Sequence, residues 1–180
     1  SLPWGVQSGV FSNTLRFLKP ASNYVCRLQA VNSGGTNWTA EAPFTLRLPH
    51  YVAPGGNSVS PYTNWTDAAT NLFDALGVAT QAGAAIVMGD GIYVITNPIL
   101  ITNALTILGH TGPGGAFIVP LTSPNSTPPI WLSNTWAVLD GLAITGCVNR
   151  LTYNIYGPLY LQAGTVRNTL IAQNVNVSVG

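Results

Sequence analysis

The chain has 180 residues, of which 47% are hydrophobic and only 6% charged, for a net charge of +1. Its six basic residues are scattered and form no stripe that could neutralise a row of phosphates, so nucleic acid is not expected as a partner. The chain is too apolar for the disordered class, which combines low hydrophobicity with high charge, and no apolar run approaches the ~20 residues of a membrane span.

From the N-terminus, residues 14–18 alternate as a strand, Lys19 to Asn23 turn, and residues 24–31 alternate again. Asn32-Ser33-Gly34-Gly35 is a turn, and residues 43–48 are a further strand. Within this stretch Leu18-Lys19-Pro20-Ala21-Ser22-Asn23-Tyr24 resembles the tyrosine corner of a fibronectin type III domain, in which a buried ring has its hydroxyl satisfied by backbone a few residues upstream. The resemblance covers residues 10–48, about the second half of such a sandwich. It implies that residues 1–49 are a partial domain whose start lies before Ser1.

After His50 and the stretch Tyr51-Val52-Ala53-Pro54-Gly55-Gly56-Asn57 the alternation gives way to a helical period. Thr66 or Asn64 is the expected cap and Asp67 sits in the first turn, where the helix dipole favours an acid. Ala68, Ala69, Leu72, Phe73, Leu76 and Ala79 make one apolar face, with Leu72 and Leu76 expected to be buried. A single amphipathic helix followed only by strands suits the end of a stack, where it covers a bare apolar cross-section. Residues 50–83 are read as linker and capping helix.

Strands follow to the end, and a phrase recurs among them. Val138-Leu139-Asp140-Gly141-Leu142-Ala143-Ile144-Thr145-Gly146 returns as Thr165-Val166-Arg167-Asn168-Thr169-Leu170-Ile171-Ala172-Gln173, with a weaker echo at Ile101-Thr102-Asn103-Ala104-Leu105-Thr106-Ile107-Leu108-Gly109. Short strands around a fixed Gly or Asn corner mark successive layers that bury one another's apolar faces. Gly141 and Asn168 share only a tolerance of positive φ, which is expected at both. Ile86, Leu105, Ile107, Leu142, Ile144 and Ile171 should point inward, and the alignment brings Asp140 beside Arg167.

Together with Pro61-Tyr62-Thr63-Asn64-Trp65 and Ala85-Ile86-Val87-Met88-Gly89-Asp90-Gly91-Ile92-Tyr93, these stretches resemble the secreted bacterial right-handed parallel β-helix proteins of the pectate-lyase-like superfamily. The resemblance implies an all-β fold: a right-handed parallel β-helix over residues 84–180 with an N-terminal capping helix, preceded by the partial sandwich. It also implies an extracellular or cell-surface location and further layers beyond Gly180.

Chemistry is sparse. Glycoside hydrolases need a pair of carboxylates, and a lyase on this scaffold would need an acidic calcium cluster beside a basic residue. After the helix only Asp90 and Asp140 are acidic. Asp90, in Gly89-Asp90-Gly91, reads as a turn residue bonding its own backbone. Asp140 with Arg167 reads as an exposed ion pair worth up to about 1 kcal/mol. His50 in the linker and His110 after a strand have no further ligands at zinc spacing, so no metal and no cofactor is expected. Cys26 and Cys147 lie in different expected domains and are read as small buried hydrophobes, unbridged. No catalytic residue can be assigned. Trp131, Trp136, Tyr153, Tyr156 and Tyr160 fall in or beside loops, where aromatic faces can stack on sugars. The leading expectation is a monomeric, non-catalytic adhesion or glycan-binding protein whose partner is a polysaccharide or surface glycan. The competing one is a carbohydrate-active enzyme whose catalytic layers lie outside this chain.

Overall fold

The computed structural model describes residues 18–19, 22–121, 128–149 and 157–176, and its chain divides into two compact units, Ser1–Leu46 and Arg47–Gly180. In the first unit, β1 (Ser22–Cys26) pairs antiparallel with β4 (Ala42–Leu46), and β2 (Gln29–Asn32) forms a hairpin with β3 (Gly35–Trp38). Residues 24–31, expected as one strand, break at Arg27 and Leu28. There Leu28 N–H donates to Thr39 Oγ1 at 2.9 Å and the Arg27 guanidinium lies 4.3 Å from the Trp38 ring centre, so the chain leaves one strand pair for the other. The Lys19 N–H donates to Tyr24 Oη at 2.7 Å and the Tyr24 ring stacks on Phe44 at 5.5 Å. The expected strand at residues 14–18 lies almost wholly outside the described residues.

Among the described residues, the regular structure of the second unit is mostly strand, with one helix. β5 (His50–Val52) comes first, so His50 belongs to a strand rather than a linker, and its Nδ1 lies 2.7 Å from the Pro61 carbonyl. Helix α1 (Leu72–Val78) is shorter than the expected residues 66–79. Two Asn-x-x-Asp boxes compete to start it. Asn64 Oδ1 accepts from Asp67 N–H at 2.9 Å and Asn71 Oδ1 accepts from Asp74 N–H at 3.0 Å, yet only Asn71 is a helix cap. The reason lies in the carbonyls that follow Asn64. Those of Thr66, Asp67, Ala68 and Ala69 accept from the amides of Asn57, Val59, Ser58 and Ala53, so they are not free for helical bonds. Ala68 and Ala69 are buried all the same, while Leu72 is buried and Leu76 only half-buried.

The remaining strands are β6 (Ala84–Met88), β7 (Gly91–Ile95), β8 (Ile99–Ile101), β9 (Leu105–Gly109), β10 (Ala116–Pro120), β11 (Ile130–Leu132), β12 (Val138–Asp140), β13 (Ala143–Thr145), β14 (Val148–Asn149), β15 (Leu159–Leu161), β16 (Thr165–Arg167), β17 (Leu170–Ala172) and β18 (Val175–Asn176). All their pairings are parallel. They form sheets ordered β16-β12-β9-β6-β5, β17-β13-β10-β7 and β15-β11-β8, with a small fourth pair β14-β18. From β6 to β13 the chain visits the three large sheets in strict rotation. Alternation in β6, β9 and β10 sends every second side chain inward, and the core runs through Ile86, Ile107, Ile118, Leu132, Leu139 and Ile144.

The repeated phrase is in register where it is clearest. Asp140 pairs with Arg167 and Ile144 with Ile171, and the corner residues Gly141 and Asn168 have φ of 66° and 46°. The upstream echo is offset from its expected alignment. Leu108, not Asn103, pairs with Asp140, which brings Gly109 rather than Ala104 to the place of Gly141. Of the six residues expected inward, Ile171 departs from the expectation at 46% exposure. It sits in the last described layer, covered from one side only by Ile144.

Tyr93 is buried where β7 meets the first layer, and its hydroxyl donates to Gly89 O at 2.8 Å and reaches Val52 O at 3.1 Å. Burial, and then the charge of Asp90, push its pKa from 10.0 up to about 12. The folded pKa is thus raised above the unfolded one. Stability from this group is complete below about pH 10 and is lost as pH climbs toward 12, because the unfolded chain releases the proton first. Tyr93→Phe is expected to flatten the alkaline limb of the stability curve in that window. Urea midpoints of both proteins between pH 9 and 11.5 test this, and equally steep curves would contradict it.

Candidate functional site

The β8, β11 and β15 strands read Ile-Leu-Ile, Ile-Trp-Leu and Leu-Tyr-Leu; in β8 and β11 the central side chain turns outward between two buried ones, whereas in β15 both Tyr160 and Leu161 are exposed. Register places Trp131 between Leu100 on one side and Tyr160 on the other, making an outward column across three layers. The Trp131 and Tyr160 ring centres are 5.4 Å apart with their planes at 77°. Trp131 Nε1–H donates to Gln162 Oε1 at 3.1 Å, which fixes the indole's orientation. No strand of this sheet contains a charged residue. The column therefore offers apolar ring surface bordered by an amide, suited to the C–H face of a sugar and unsuited to gripping an anion.

Of the other aromatic candidates, Trp136 stands in the loop between β11 and β12 and is 77% exposed. That loop is held by Asn134, whose Oδ1 accepts from Trp136 N–H at 2.8 Å and whose Nδ2–H donates to Thr102 O at 2.9 Å in the preceding layer. Tyr153 and Tyr156 lie outside the described residues.

The charged candidates bond to their neighbours instead of clustering. Asp140 accepts from Arg167 Nε–H at 2.9 Å and from Asn168 Nδ2–H at 3.0 Å. With the Arg167 side chain 60% exposed, solvent screens this pair and limits it to at most about 1 kcal/mol. Asp90 accepts from Thr111 Oγ1–H at 2.6 Å, a bond to the next layer in place of the expected bond to its own backbone. Both cysteines are free. Cys147 is buried, which raises its thiol pKa, whereas Cys26 is only partly covered, contrary to expectation. Among the described residues no group of three or more His, Cys, Asp or Glu could hold a metal, and no helix is long and apolar enough to cross a membrane.

One cluster went unread in the sequence. Trp65 lies 4.5 Å from the Tyr51 ring centre and 5.0 Å from that of His110. Tyr51 belongs to β5 and His110 follows β9, so only the stacking of their sheet gathers them. Compared with known proteins, the chain matches no family model, no curated protein and no solved structure.

Proposed function

We propose that residues 84–176 wind as a right-handed parallel β-helix capped by α1, that the first unit is fibronectin type III-like, and that the whole is a non-catalytic, extracellular glycan-binding protein. The strict rotation of β6 to β13 through three parallel sheets supports the β-helix, and crossovers between parallel strands are right-handed in nearly all cases. For the fibronectin-like reading the support is the contact of Tyr24 Oη with the Lys19 backbone and the antiparallel pairing of β1 with β4.

The observation that carries the binding role is the in-register Trp131–Tyr160 pair on an uncharged outer sheet. Aromatic anchors dominate binding energies, typically at about 2 kcal/mol or more each, or roughly thirtyfold in affinity; Tyr160 is exposed and Trp131 half-buried. A catalytic role finds less support, because Asp140 and Asp90 are each engaged by side chains of a neighbouring layer.

Affinity electrophoresis in gels containing glucan, xylan, mannan, pectin or alginate tests the reading. Retardation is expected from at least one neutral polymer, and Trp131→Ala should weaken it about thirtyfold. The fold of the variant is checked by its urea midpoint. Retardation by none of the polymers, or retardation indifferent to Trp131→Ala, would count against the aromatic pair as the binding site. Release of reducing or unsaturated ends from any of them would count against the non-catalytic role.

A further inference from the structure

The first strand of any sheet leaves a row of backbone N–H and C=O groups without partners unless something closes it. In the largest sheet β5 is closed. Tyr51 N–H donates to Tyr62 O at 2.6 Å, Ala69 N–H to Tyr51 O at 2.9 Å and Ala53 N–H to Ala69 O at 2.9 Å. Among the described residues, the first strand of the three-stranded sheet, β8, has no such cover. It pairs only with β11, toward which Ile99 N–H donates to Pro129 O at 2.8 Å and Ile101 O accepts from Ser133 N–H at 3.0 Å. Alternation along a strand then turns the N–H and C=O of Leu100 to the opposite edge.

At that edge there is a cleft of about 370 Å³ between β8 and α1. Ile99, Ile101 and Leu105 line it from the strands, and Phe73, Leu76 and Ala79 from the helix side. Its other lining residues, Thr80, Pro98, Thr102 and Asn103 among them, are uncharged. The size is that of a ligand pocket. The half-buried state of Leu76 and Phe73 has the same origin, since both border this space.

We propose that the cleft takes an extended, apolar peptide segment of a partner, which adds to β8 as a further parallel strand. The unpaired groups on β8 identify the chemistry of the occupant. Alternating donors and acceptors along an edge are matched by another backbone, whereas a lipid chain or a sugar face would fill the apolar space and leave them unpaired. The pattern of the segment follows from the stack. An added strand would stand to β8 as β8 stands to β11, with two apolar residues entering the cleft and the residue between them facing outward. This inference is independent of the glycan-binding role.

A labelled peptide copying residues 97–103, Asn-Pro-Ile-Leu-Ile-Thr-Asn, is the probe, titrated against the whole protein by fluorescence polarisation. In the added strand the two isoleucine amides would face β8 and the leucine amide would face away. N-methylation of both isoleucines should therefore weaken binding about tenfold or more, while N-methylation of the leucine alone should change it by less than about twofold. On the protein, hydrogen exchange of the Leu100 amide should slow when the unmodified peptide is bound. No saturable binding, equal binding of the two methylated peptides, or an unchanged Leu100 exchange rate would each overturn the proposal. Because the blocking groups are on the peptide, no outcome depends on a protein variant that fails to fold.

Discussion

Gly109→Ala is expected to destabilise the protein by about 3 kcal/mol or more, the upper end of what overpacking costs. A methyl group built on Gly109 would overlap the carbonyl oxygen of Gly141 and come within 3.0 Å of its carbon and 3.4 Å of Gly112 O. Every one of these atoms is backbone, so no side chain can swing away to relieve the contact. The Gly109 φ is not in the left-handed region, and the requirement is therefore one of space between adjacent layers rather than of conformation. Gly114→Ala, a few residues on in the same loop, is the control: nothing lies within 4 Å of its added methyl, and a change within about 0.5 kcal/mol is expected. Urea midpoints of the two variants decide the matter. Equal midpoints would mean that the layers can separate at this corner without cost.

Leu72→Asp is expected to cost about 3 to 5 kcal/mol at pH 7. Leu72 is 2% exposed, and the last turn of α1 carries no basic residue to compensate a buried charge. Its place in the first helical turn favours an acid by up to about 1 kcal/mol, which the burial penalty exceeds severalfold. Burial would raise the folded-state pKa of the new carboxyl above its unfolded value near 4. The folded state then binds the proton more tightly, so the deficit relative to the parent should shrink as pH falls from 7 toward 4.5. Leu76→Asp, at a half-buried position, should cost markedly less. A deficit at Leu72 that is constant with pH, or no larger than that at Leu76, would show that α1 does not seal the core there.

Some of this architecture can be read residue by residue. Gly141 and Asn168 both take positive φ because the need for a tight corner acts on a single residue, and few residue types tolerate it. The alternating pattern that buries Ile86, Ile107 and Ile144 is likewise local, a consequence of the two-residue period of a strand. The nearness of Asp140 to Arg167 follows from one repeat, since the two phrases are similar enough to fix their register. The fainter upstream echo misled for the same reason. Apolar alternation fits several registers: residues 101–109 span β8 and β9 whereas the clear phrase spans β12 and β13, and because β9 is the strand that pairs with β12, the corner falls at Gly109.

The sequence by itself thus determined the predominance of strands, the presence of an amphipathic helix and the corner residues. Each depends on composition or on a few neighbouring side chains. Only the tertiary structure decided where the helix begins, because Asn64 and Asn71 offer equivalent caps and the choice between them rests on amides at residues 53–59 that claim the first set of carbonyls. It also decided that Trp131 meets Tyr160, that Trp65 gathers Tyr51 and His110, and that β8 keeps an open edge beside α1. Such contacts join residues from different layers. Their register is set by how many residues each loop spends between one strand and the next, and no single residue encodes that sum.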